Sequence, residues 1–180
     1  MNRRTGQGGI SRLEVAVVMA VLLVAGIGIA AWTRTRPRPA AKTLQAMDQM
    51  NKMWRGSVAY YETDHFNATG QLLPRQFPGP AAALEGNTAC GCLRGGCPGG
   101  SAIWTSDPVW KALNFSLPEA HDFMPAYEAR GVGTNAQFTV SSRGDTNCNG
   151  VFAEFSRTGH VDSDGKVTGS WLPVVRNELE

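Results

Sequence analysis

Charge is scarce in this sequence and, between Val15 and Thr33, wholly absent. Charged side chains make up 18% of the chain, and 17 basic residues so nearly match 15 acidic ones that the net charge is only +2. No broad basic face is available, which argues against nucleic acid as a partner. Catalytic signatures are missing as well. His65, His121 and His160 are scattered, and no HExxH or GxSxG context gives any of them a role. Each reads as a surface or hydrogen-bonded histidine, so the chain is not expected to be an enzyme. No internal repeat is evident. Arg143-Gly144-Asp145 matches an integrin tripeptide by chance, and the sequons at Asn67 and Asn114 would have no force in a bacterial protein.

What the chain does have is a long apolar run near its start, GGISRLEVAVVMAVLLVAGIGIAAW, from Gly8 to Trp32. The uncharged part is long enough to be a membrane-span candidate. One acid, Glu14, stands at its leading edge. A carboxylate at the bilayer centre costs about 2.5–3.5 kcal/mol and less near an interface, so Glu14 calls for a cationic partner. Arg12, beside the run, reads as a side chain that snorkels to the lipid headgroups. Arg34, Arg36 and Arg38 directly follow the run and read as a membrane-surface anchor. With three arginines on each side of the span, the positive-inside rule does not set its orientation.

Three readings of this segment compete. A secretory signal peptide would cleave after a small-x-small site such as Gly28-Ile29-Ala30, but its apolar core is shorter and rarely abuts an acid. A plain uncleaved anchor leaves Gly8-Gly9 and Glu14 without a reason. The third reading explains both. Prepilin peptidases cut after a glycine, and the fifth residue beyond the cut is typically glutamate; here the cut follows Gly9, Ile10 becomes the first residue and Glu14 the fifth. The segment resembles the N-terminus of type IV pilins and pseudopilins. LPRQFPGPA, WKALNFSLPEAHDFMPAYEARG and RGDTNCNGVFAEF are similar to segments of myxobacterial-type pilin-like proteins.

That resemblance implies a mechanism and an architecture. The peptidase removes residues 1–9 and usually methylates the new amine. The subunit is stored in the bacterial inner membrane as a single-pass protein with its C-terminal domain in the periplasm. It then joins other pilin or pseudopilin subunits in a type IV pilus or type II secretion pseudopilus, where Glu14 meets the Ile10 amine of a neighbour. Low dielectric makes that pairing matter. Ile10 to Trp32 spans 23 residues, about 35 Å if helical, which suits membrane storage and filament burial alike. The implied fold class is α+β: a long, kinked transmembrane helix packed against a small antiparallel β-sheet. Residues 10–33 would form the transmembrane and assembly helix, 34–39 a basic proline kink, and 40–180 the head.

In the head, a helix is expected over Ala40 to Asp64, with Leu44, Met47, Trp54, Val58 and Tyr61 as its core stripe. Glycines number 21 and prolines 10, so loops should be abundant, above all from Asn67 to Pro118. Trp110 to Phe115 suits a helical turn. Phe123–Ala129, Gln137–Ser142 and Val151–Ser156 read as antiparallel strands, and Trp171–Val175 as a short final one.

Two sites stand out. Cys90, Cys92, Cys97 and Cys148 all follow the span, and an even count in a small exported domain reads as two disulfides. Cys90–Cys92 would be strained, which favours Cys148 joining one loop cysteine while the other two pair. A four-thiolate zinc site is the alternative, with its usual ligand spacing only partly matched. Asp145-x-Asn147-x-Asn149-Gly150 fits the opening of a calcium loop, although Ser156 stands where the bidentate glutamate belongs. The same residues also make ordinary turns, as does Asp162-Ser163-Asp164-Gly165. No cofactor is expected, and calcium at Asp145, Asn147 and Asn149 is the candidate ion. A rival to the filament subunit is an anchored or secreted, disulfide-stabilised binding module for metal or glycan.

Overall fold

A computed structural model describes residues 15–19, 21–24, 39–81, 96–100 and 102–177. The chain divides into two compact units, Met1–Arg38 and Pro39–Glu180. In the first, residues 15–19 and 21–24 are helical, and the valine, leucine and methionine side chains among them are 50–71% exposed. Gly9, Ile10, Glu14 and the basic segment 34–38 lie outside the described residues.

The second unit begins with a 24-residue helix, α1 (Pro39–Glu62). Proline has no amide to donate and its φ is already helical, so it fits the first turn of a helix. Helix α1 ends where side chains take over its last carbonyls. The Thr63 hydroxyl donates to the Ala59 carbonyl at 2.8 Å, and His65 Nε2 lies 2.9 Å from the Tyr60 carbonyl. Two short helices follow, α2 (Ile103–Ser106) and α3 (Pro108–Ala112). Asp107 caps α3 by accepting from the amides of Val109 and Trp110 at 2.8 and 3.0 Å, with Pro108 as the first helical residue.

The sheet is antiparallel throughout. Strands β1 (Met124–Arg130), β2 (Gln137–Gly144) and β3 (Ala153–Val161) form a meander, with the 3-10 turn Gly133–Asn135 between the first two. Two three-residue strands share the far edge of β3: β4 (Val167–Gly169) pairs its end, and β5 (Val174–Arg176) its start. The register Ala129↔Phe138↔Gly159 and Tyr127↔Val140↔Arg157 puts one face of the sheet under α1. The opposite face carries Glu128, Thr139 and Thr158, with the two threonine hydroxyls 3.3 Å apart. This alternation is that of a sheet with one wet side.

The core lies between α1 and the sheet. Phe138 is its centre: its ring meets Trp54, Phe77 and Tyr127 with centroids 4.9, 4.6 and 6.2 Å away. Gly159 makes room for it, since a Cβ there would stand 2.3 Å from the Phe138 ring. A second aromatic group, Trp104, Trp110 and Phe115, packs edge-on and tilted at 5.0–5.4 Å. The indole N–H groups of Trp104 and Trp110 are buried without hydrogen-bond partners; the near-perpendicular rings offer π faces as weak acceptors. Where α1 passes Leu113 it needs Gly56, because a Cβ there would lie 2.1 Å from the Leu113 carbonyl oxygen.

The fold expected from the sequence needs correction. The helix on the sheet is α1, which starts at Pro39, and among the described residues no helix is long and apolar enough to cross a membrane. Lys42, Gln45, Asp48, Gln49 and Lys52 interrupt the apolar residues of α1, so its composition suits a domain surface and not lipid. A long, kinked transmembrane helix packed along the sheet is therefore not the architecture.

Of the expected stripe, Tyr61 is buried and Met47 and Trp54 pack against the core, but Leu44 does not. Leu44 is 68% exposed, whereas Ala46, Gln49, Met50, Met53, Ser57 and Tyr61 are buried. Strand β3 starts two residues later than Val151, because the preceding loop holds the Val151 amide. Trp171 lies before β5 and is 84% exposed.

Candidate functional site

Sequence reasoning places function at the N-terminal processing segment, the cysteines and the Asp145 loop. The structure describes the last of these most fully. Strand β2 ends at Gly144 and delivers Asp145 into the bend before β3. Asp145 is buried, and its carboxylate collects backbone amides. Oδ1 accepts from Cys148 at 2.7 Å and from Asn149 at 3.3 Å, and Oδ2 accepts from Gly150 at 2.8 Å. Asn147 Oδ1 accepts from the Asn149 amide at 3.0 Å, and Asn149 Oδ1 from the Val151 amide at 2.7 Å. Cys148 and Gly150 take left-handed conformations, with φ of 65° and 85°, which lets these amides converge. Burial pushes the Asp145 carboxyl up, but the amides of Gly150, Cys148, Asn149 and Asn147 outweigh it and hold it below the usual carboxylate range.

Those same oxygens are the three proposed calcium ligands. They face inward to amides, and Asp145 alone among them carries charge. A cation already stands nearby: Lys42 Nζ donates to the Thr146 carbonyl at 3.2 Å and lies 3.9 Å from Asp122 Oδ2. Among the described residues no group of three or more His, Cys, Asp or Glu side chains could hold a metal ion. Cys97 and Cys148 are both disulfide-bonded, and Cys90 and Cys92 lie outside the described residues.

Two glutamines that sequence reasoning passed over tie α1 to this end of the sheet. Gln45 Oε1 accepts from the Asp122 amide at 2.8 Å. One turn on, Gln49 Nε2 donates to the Phe123 carbonyl at 3.1 Å, and Gln49 Oε1 accepts from the Ser142 hydroxyl at 2.6 Å. Gln49 and Ser142 are both fully buried, so these bonds form where water cannot compete. Further along, the Ser57 and Tyr127 hydroxyls sit 3.3 Å apart, and burial raises the Tyr127 phenol well above its ordinary value. The visible signal was the four-residue spacing of Gln45 and Gln49 on one helix face.

The histidines do not converge. His65 stacks on Tyr60 at 3.8 Å, and His160 is exposed on β3. His121 is buried and shares two backbone hydrogen bonds with Cys97, at 2.7 and 3.0 Å. Burial lowers its pKa, against the opposing pull of the Glu119 carbonyl and the Asp122 charge. Of the three, His121 alone borders a described groove, shared with Asp48, Lys52 and Glu119, and HExxH and GxSxG contexts are absent from the sequence around it.

The head exposes apolar side chains at the turn into β5. Trp171 and Leu172 are 84% and 70% exposed, and with Pro173 they border a groove against Met47, Met50 and Asn51 of α1. Arg157 closes it: its guanidinium lies 3.6 Å over the Trp54 ring, and its Nε donates to the Ser170 carbonyl at 2.6 Å. No family model, no curated protein and no solved structure matches this chain.

Proposed function

We propose that the chain is a structural subunit of a type IV pilus or type II secretion pseudopilus, matured by removal of residues 1–9. The observation that carries this reading is the sequence Gly8-Gly9-Ile10 with Glu14 five residues into the mature chain, followed by an uncharged apolar run to Thr33. Exposure of the valine, leucine and methionine side chains at residues 15–19 and 21–24 supports it, since such surface needs lipid or another subunit to cover it. The subunit sits in the bacterial inner membrane with its head in the periplasm, a placement favoured by the disulfide-bonded Cys97 and Cys148. Its partners are the prepilin peptidase and other subunits. Within the filament, Glu14 pairs with the Ile10 amine of a neighbour. The head does not act as an enzyme.

Gly9→Ala blocks cleavage and leaves a slower-migrating precursor that retains Met1-to-Gly8. Intact mass from cells with and without the peptidase checks this, and identical masses for the unmutated chain in both would remove the reading. A Glu14→Ala chain is cleaved yet does not enter filaments. Quantifying it in sheared filament fractions tests the assembly role; wild-type levels there would refute the Glu14 pairing.

A further inference from the structure

Asn149 is followed by Gly150, and both are exposed on the Asp145 loop. An asparagine–glycine pair is chemically fragile. The glycine amide nitrogen, once base has taken its proton, bonds to the asparagine Cγ, and the side-chain nitrogen leaves as ammonia. Water then opens the five-membered imide at either carbonyl, giving aspartate or isoaspartate. One water enters and one ammonia departs, so no oxidant or reductant is required. Glycine allows the attack because it has no Cβ to obstruct the approach of its nitrogen, and asparagine is among the thermolabile residues for this reason.

In this loop both reacting groups are tied down. The Gly150 amide donates to Asp145 Oδ2 at 2.8 Å, and Asn149 Oδ1 accepts from the Val151 amide at 2.7 Å. The Asn149 amide is itself shared between Asn147 Oδ1 at 3.0 Å and Asp145 Oδ1 at 3.3 Å. Attack requires the Gly150 N–H to leave its carboxylate acceptor and lose a proton. A neighbouring negative charge opposes that loss. Asp145 is only 3% exposed, so water does not readily displace it.

We propose that Asn149 is a latent deamidation site and that Asp145 is the positioning residue that keeps it intact by holding the Gly150 amide. Conversion adds a negative charge beside Asp145, and the isoaspartate form inserts an extra methylene into the backbone. The added charge repels the Asp145 carboxylate, and the isoaspartate backbone displaces the amides that order the loop carrying Cys148.

The test ages the full chain, disulfides intact, at mildly alkaline pH and follows deamidation in the tryptic peptide Gly144–Arg157. Native wild-type chain should convert at Asn149 roughly tenfold or more slowly than urea-unfolded chain, because a charge-assisted bond must break first. Asp145→Ala, shown native by circular dichroism, should approach the unfolded rate at Asn149 while Asn147 in the same peptide stays slow. General loosening of the loop would accelerate both. Hydrogen exchange of the Gly150 amide in wild-type chain reads the same bond without any mutation and should show protection. Conversion of native wild-type chain at the unfolded rate overturns the proposal. So does free exchange at Gly150, or a folded Asp145→Ala chain that stays slow.

Discussion

Apolar side chains meet opposite fates in the two units of this protein. At residues 15–19 and 21–24 a helical run shows its valines, leucines and methionine to the surroundings, 50–71% exposed. In the head, Ala46, Met50 and Met53 of α1 and the Phe138 ring are at most 2% exposed. Within the head, burial between helix and sheet satisfies the apolar surface internally, each large side chain contributing about 1.5–3 kcal/mol. The head's own core accounts for its buried apolar side chains, whereas those of the described run are exposed.

Substitutions should separate the two populations. The largest effect is expected at Met53→Ala, which empties a fully buried position and should cost about 2–5 kcal/mol in urea unfolding of the head. Leu22→Ala, a similar truncation in the exposed run, should leave that transition in place. Equal losses at the two positions would erase the distinction. Next comes Gln49→Ala, expected to cost about 1–3 kcal/mol because the Ser142 hydroxyl and Phe123 carbonyl lose their buried partner; an unchanged midpoint would show that water takes the vacated place.

The smallest effect is a pH dependence from His121. Its folded pKa is lowered, chiefly by burial, so the neutral form is favoured in the head and the unfolded chain binds the proton more readily. The stability contributed is present above the unfolded value of about 6.5 and is lost as pH falls below it. Urea midpoints measured from about pH 7.5 down to 5.5 should fall, and more steeply in wild-type chain than in His121→Gln. Parallel profiles would remove His121 as the source.

The meander was legible in the sequence because Gln137–Ser142 alternates polar and apolar residues with period two, and Val151–Ser156 is rich in aromatic and β-branched residues. Helix α1 was legible in extent, and its buried face in part. Counting only apolar residues selected the exposed Leu44 and passed over the buried Gln49 and Ser57, whose polar groups answer Ser142, the Phe123 carbonyl and Tyr127. A hydrophobic periodicity cannot see positions buried for their hydrogen bonds. The long transmembrane helix expected along the sheet came from family resemblance, and the polar residues of α1 overturn it. In the Asp145 loop, the spacing of oxygen-bearing side chains was visible, but their orientation was not. Inward amides and the Lys42 ammonium emerge only from the folded backbone. Strand β4 was missed because three residues carry too little pattern.

The far border of β3 is divided between β4 and β5, three residues apiece, with Arg157 and Thr158 in the gap. No neighbour could zip a full-length strand onto that border, since neither fragment offers an uninterrupted run of backbone donors and acceptors. Runaway stacking of sheets is thereby discouraged at this margin. What that side presents beyond the two short fragments is side chains, Trp171 the most exposed of the large apolar ones.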